Sequence, residues 1–241
     1  SNAKLLRSEL ATHLTGRYLK TEVFPFSFPE FLSFHGIDPD VHTSDNLARI
    51  LNALDDYLRN GGFPEYLKLR EPEVLKRIYD DIVYRDLIVR FSIRNVTGFK
   101  NMAQYLFSNV CGETGYLPLS KILGLNSATS VKEYLAQLTE GYLVFEIFKY
   151  DHSLKKQYAS NRKVYVIDNG LRNAVSFTTS SDHGKLLENA VFLELRRRYH
   201  EVWYYRSKQV LETDFLVNPG RPKLIQACHD LRHPSTRQRE T

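Results

Sequence analysis

Residues 184–230 read GKLLENAVFLELRRRYHEVWYYRSKQVLETDFLVNPGRPKLIQACHD, and the spacing of apolar and polar positions in this stretch decides how the rest of the chain is read. Leu186, Leu187, Ala190, Val191, Leu193 and Leu195 form an apolar stripe at helical spacing. Glu188 lies near its start, and Arg196, Arg197 and Arg198 stand where a helix dipole favours cations. Three short β-type runs follow: residues 202–205, residues 213–217, and a run in which Leu224 and Ile225 lead into Gln226 and Cys228. The expectation is a helix and three strands, with an acid on the helix, an acid opening the second strand and a polar pair closing the third.

That order resembles the core of the PD-(D/E)xK nuclease superfamily, with Glu188, Asp214 and Gln226-Ala227-Cys228 at the matching positions. In active members carboxylates hold Mg²⁺ through hard oxygen ligands, and a lysine helps position or activate the attacking water. Here Gln226 stands where an acid is wanted and Cys228 where lysine is wanted. Lys208 is the nearest candidate for a migrated lysine, its alternative being a solvated hairpin charge. Two readings follow from the resemblance. Either the site is degenerate and no metal is expected, or the chain is a Mg²⁺-dependent DNA nuclease with Glu188 and Asp214 as metal ligands and a displaced lysine.

The composition fits an ordinary globular chain: 241 residues, 42% hydrophobic and 25% charged, long enough for two or more small domains. The longest apolar runs are too short to span a bilayer and nothing resembles a signal peptide, so a cytoplasmic location without membrane contact is expected. Cys111 and Cys228 lie far apart with no CxxC or Cys/His cluster, which argues against a disulfide framework and a structural zinc site. A net charge of +5 permits nucleic-acid binding without requiring it.

Residues 1–34, SNAKLLRSELATHLTGRYLKTEVFPFSFPEFLSF, resemble the segment that follows the last core strands of a prokaryotic AAA+-type ATPase family. Ser1-Asn2-Ala3 reads either as native to that segment or as the scar of a cleaved tag. In the turn Thr15-Gly16-Arg17, the family resemblance implies that Arg17 is an arginine finger toward a γ-phosphate; the plainer reading is an exposed arginine after a glycine turn. No G-x-x-x-x-G-K-[ST] motif occurs, so this chain has no phosphate cradle of its own. The resemblance implies ATP and Mg²⁺ in a parent protein, with none expected for this chain alone. Its partners would be an N-terminal ATPase core and further copies in a homo-oligomer.

From Ser44 the chain reads as helical, with Leu47, Ile50, Leu51, Leu54 and Leu58 at helical spacing, Ser44 or Asp45 as the N-cap and Gly61-Gly62 as the stop. The sequence Gly61-Gly62-Phe63-Pro64-Glu65 resembles the family's lid, and a second helix opens at Pro72. Between residues 97 and 171 three helices and two β-type runs joined by HSLKKQYASNR make the order of a winged helix. Lys149, Lys155, Lys156, Arg162 and Lys163 surround the single acid Asp151 in the wing and suit phosphate. The outward positions of the third helix hold only one cation, Lys132.

The expected architecture is therefore α+β and multi-domain. It comprises the tail of an ATPase core at 1–43, a helical lid at 44–96, a winged helix-turn-helix at 97–175 and a C-terminal α/β restriction-endonuclease-like domain at 176–241. The expected role is the accessory region of an AAA+-type ATPase, used for recognition of DNA or a partner. The alternatives are the nuclease above and a protein-interaction module.

Overall fold

The computed structural model describes residues 21–176, 182–207 and 212–228. Its first helices are α1 (Phe28–Phe34), α2 (Ser44–Asn60), α3 (Pro64–Leu69) and α4 (Pro72–Asp80), the last running on as a π-helical turn, Asp81–Ile88. The middle holds α5 (Val96–Ser108), β1 (Glu113–Thr114), α6 (Tyr116–Ile122), α7 (Ala128–Glu140), β2 (Val144–Lys149), α8 (Leu154–Ala159) and β3 (Arg162–Val166). Then come α9 (Asn169–Val175), α10 (His183–Arg198), β4 (Val202–Arg206), β5 (Glu212–Val217) and β6 (Lys223–Ile225). No helix of the described residues is long and apolar enough to cross a membrane.

Local chemistry explains where the helices start and stop. Ser27 and Glu30 form a reciprocal capping box on α1. Thr43, one residue ahead of the expected Ser44 or Asp45, caps α2 by accepting from the Asn46 N–H, and α2 ends at Gly61, whose φ of 72° favours glycine. Pro72 occupies the first turn of α4, where its missing N–H costs nothing. Ser127 caps α7 and Asp168 caps α9.

The chain is α+β with one mixed six-stranded sheet in the order β1-β3-β2-β4-β5-β6. Every neighbouring pair is antiparallel except β2 and β4, which run parallel. The β2–β3 ribbon expected as a free wing and the three C-terminal strands expected as a separate domain thus lie side by side in one layer. A boundary at 175/176 falls between parts that share a sheet. One hydrophobic cluster accordingly runs from Leu75 through Phe99, Leu135 and Val164 to Phe192, Phe215 and Val217, and a satellite of Phe31, Leu32, Ala53, Tyr57 and Leu67 joins α1, α2 and α3.

Strand alternation separates two faces of the sheet. Tyr165 pairs in register with Phe145, and Val202 with Val217, on the face covered by α10, where Phe192 stacks on Tyr165 with ring centroids 4.2 Å apart. Phe148 and Trp203 pair in register on the opposite face. The free edge of β3 is closed by a side chain: Asn189 of α10 accepts from Val166 N–H at 2.9 Å and donates to Val166 C=O at 3.1 Å, as a neighbouring strand would.

Candidate functional site

Lys163 and Tyr165 are two residues apart on β3 and therefore point to the same face, toward α10. The helix presents Glu188 to them: Tyr165 Oη donates to Glu188 Oε1 at 2.8 Å, and Lys163 Nζ lies 3.2 Å from the same oxygen. Two further carboxylates arrive from β5. Lys163 Nζ is 2.7 Å from Glu212 Oε1 and 3.2 Å from Asp214 Oδ1. Three acids from two elements thus converge on one ammonium from a third.

Regular alternation would not deliver this convergence. Phe215 and Val217 face α10, so Asp214 and Glu212 should face away. Trp203 pairs with Leu216, but Tyr205 pairs with Thr213, so Tyr204 opposes both Asp214 and Phe215. This β-bulge resets the alternation and turns Asp214 and Glu212 inward beside Phe215.

Lys163 is buried, with 5% of its side chain exposed, and Glu188 nearly so. Burial alone would lower the lysine pKa. The charge of Glu188 and the contacts to Glu212 and Asp214 overcome that effect and hold the ammonium above the usual lysine range. Glu188 is displaced upward by burial, with Lys163 pulling the other way.

The matching third-strand position completes the picture. Gln226 Oε1 accepts from the Asp214 N–H at 3.1 Å, while the Ala227 N–H donates to Asp214 Oδ2 at 3.0 Å. Gln226 thus extends the β5–β6 ladder through its side chain, and Cys228 lies just beyond β6, half-buried. These residues do not fit a divalent metal. One oxygen of each acid is engaged by Lys163, the third-strand position is a neutral amide, and among the described residues no group of three or more His, Cys, Asp or Glu side chains could hold a metal ion.

The expected site residues fall into three groups. Glu188 and Asp214 are brought together, with Gln226 beside them and Cys228 two residues further on, beyond the end of β6. Lys208 and Arg17 lie outside the described residues. Of the wing cations, Lys155 and Lys156 are exposed on α8, a short helix inside the connection HSLKKQYASNR between the two ribbon strands, and Lys149 is half-buried at the end of β2. Arg162 and Lys163 do not face solvent. Arg162 is 8% exposed, its guanidinium lying 4.4 Å from the Tyr116 ring centroid and 4.8 Å from that of Phe148, with Nε 3.2 Å from Glu146. The placement of these two in a phosphate-binding wing is corrected by their burial.

Lys163 as the partner of the acids, together with Glu212 and Tyr165, was missed from the sequence. The available signal was Lys163 leading directly into the apolar run Val164-Tyr165-Val166 and sharing its face with Tyr165.

Residues 51–182 match a family model described as a domain of unknown function, DUF8612. The chain is 35% identical to the uncharacterized protein MJ1544 of Methanocaldococcus jannaschii, over 100% of this chain and 56% of that protein. It is 32% identical to an uncharacterized protein of Haemophilus influenzae, over 84% of this chain and 51% of that protein. The chain spans about half the length of the curated relatives it matches. No solved structure matches it.

Proposed function

The chain belongs to the DUF8612 family, whose description carries no activity, and from its site geometry we propose that it is a recognition region without nuclease chemistry of its own. On this reading the helix α10 and strands β4–β6 are a PD-(D/E)xK-like core, and the winged-helix elements are fused to it through the β2–β4 pairing. The parent protein is a prokaryotic AAA+-type ATPase, and the accessory region engages DNA or a partner on its behalf. The resemblance of the sequence around Thr15-Gly16-Arg17 and Gly61-Gly62 supports the ATPase relation, and relatives about twice as long leave room for such a core.

The observation that carries the reading is the ammonium of Lys163 within 3.2 Å of Glu188, Glu212 and Asp214. A buried ammonium neutralises acids that a nuclease would use on Mg²⁺, and the neutral Gln226 stands where a further metal-binding acid is wanted. The site then contributes to the fold rather than to hydrolysis.

The test is incubation of the chain with plasmid and linear DNA in Mg²⁺ or Mn²⁺, beside a Glu188→Ala, Asp214→Ala double variant. No cutting by either is expected. Metal-dependent cutting by the natural sequence, absent from the double variant, would overturn the reading.

A further inference from the structure

The sheet face opposite Lys163 carries aromatic side chains that the core does not enclose. Trp203 and Tyr205 alternate with buried Val202 and Tyr204 on β4, and both are half-buried. Tyr150, just past β2, is fixed beside them by its N–H donating to the Tyr204 carbonyl at 2.8 Å. Its ring meets Trp203 edge to face at a centroid distance of 5.9 Å. Tyr158 on α8 meets Phe148 in the same manner at 5.5 Å and is itself 67% exposed. The rings are braced by one another from below and open to solvent above.

Cations border this row. Lys155 and Lys156 are exposed on the same short helix as Tyr158, and neither makes an ion pair among the described residues. Glu212 and Asp214 are turned to the other face toward Lys163, and Glu146, on the same face as Phe148, is paired with Arg162.

We infer that this face binds single-stranded nucleic acid, with bases stacking on Trp203, Tyr150 and Tyr158 and phosphates meeting Lys155 and Lys156. The inference rests on the recognition reading above and narrows its ligand. Aromatic rings have no use for a duplex, whose base faces are already stacked, whereas an unpaired strand offers a π-face at every nucleotide. Lys155 and Lys156, on the same helix as Tyr158, supply the complementary charge for its backbone.

Trp203 is the single tryptophan of the chain, so its fluorescence reports on the face directly. The experiment titrates the protein with a short oligothymidylate and with a duplex of equal length, at low and at physiological salt. The oligothymidylate should quench Trp203 and bind more tightly than the duplex. Tyr158→Ala should weaken it about tenfold, as loss of one stacked base does. A Lys155→Glu, Lys156→Glu variant should bind weakly and with a shallower salt dependence. All three side chains changed are exposed, and circular dichroism of each variant checks that the fold is intact. Unmoved Trp203 fluorescence, or duplex binding as tight as that of the single strand, would overturn the inference while leaving the recognition reading standing. Quenching accompanied by metal-dependent cutting of the oligonucleotide would support the inference and overturn the recognition reading instead.

Discussion

The carboxylate of Asp168 accepts the backbone N–H of Gly62 at 2.6 Å, joining positions 106 residues apart. Its other oxygen accepts the Leu171 N–H at 2.8 Å, so one side chain caps α9 and also fastens the end of α2. The approach is possible because Gly61 and Gly170 have no side chains. A Cβ on Gly61 would overlap the Asp168 carboxylate, and one on Gly170 would overlap the Asn60 carbonyl. Gly61 also has φ 72°. Gly61→Ala should therefore cost about 2–4 kcal/mol, from left-handed backbone strain plus overpacking. Urea denaturation checks this, and a loss below about 1 kcal/mol would refute the latch.

Asp168 is fully buried, and burial lifts its pKa to about 6 against the pull of the Gly62, Leu171 and Gly170 N–H groups. The folded value lies above the unfolded one, so the folded state holds this proton more tightly. Its favourable contribution is complete below about pH 4 and is lost as pH rises through about 6. Asp168→Asn abolishes this titration and leaves one buried N–H without an acceptor, at about 1–3 kcal/mol. The stability gap between natural and substituted chains should be wider at pH 4.5 than at pH 7.5. An equal gap at both values would contradict the assignment.

Removing the internal cation should be more damaging than any surface change. Lys163→Met leaves three acids facing a buried site with no counter-charge and should cost about 3–5 kcal/mol at neutral pH. Without the ammonium, burial and mutual repulsion raise the carboxyl pKa values in the folded state. The substituted chain should therefore recover stability as pH falls toward 5. Adding Glu188→Gln to it should restore part of the loss at pH 7, and a double-mutant cycle measures that coupling.

Asn189 is fully buried and replaces a strand partner for Val166, while its amide also donates to Asn169 Oδ1 at 3.0 Å. Asn189→Leu keeps the size but leaves the Val166 N–H and C=O without partners. A loss of about 2–4 kcal/mol is expected from two buried polar groups. Hydrogen exchange should speed up at the Val166 amide more than at Ile167, whose N–H donates to the Leu143 carbonyl at 3.2 Å independently of Asn189, and this would locate the damage.

The two thiols should differ in reactivity. Burial, reinforced by the charge of Glu188, raises the Cys111 thiol well above its ordinary value, whereas Cys228 is half-buried. A thiol reagent at pH 8 should modify Cys228 in the native protein and reach Cys111 only after denaturation. Native labelling of Cys111 would show that α10 separates readily from β3.

The local features were legible because they depend on neighbouring residues. Apolar spacing located α2, α4 and α10, glycines marked the end of α2, and the polar residues of 184–230 drew attention to Glu188 and Asp214. The parallel pairing of β2 with β4 was not legible, since its partners are more than fifty residues apart and nothing local specifies which strand edge meets which. That seam is also what moved Lys163 from a supposed wing into the interior. The cations of RKVYV read as solvent-facing because their neighbours in sequence are polar, whereas their neighbours in space are Glu146 for Arg162 and Glu188, Glu212 and Asp214 for Lys163.

The bulge opposite Tyr204 makes the electrical polarity of the sheet a matter of pairing register. If the same residues paired in regular alternation without the bulge, Asp214 would oppose Tyr205 and the acids of β5 would emerge among Trp203, Tyr205 and Tyr158. Lys163 would be left with Glu188 alone, and a face suited to polyanions would repel them. The bulge thus sets the charge of both faces together, which no single side-chain exchange on either face does.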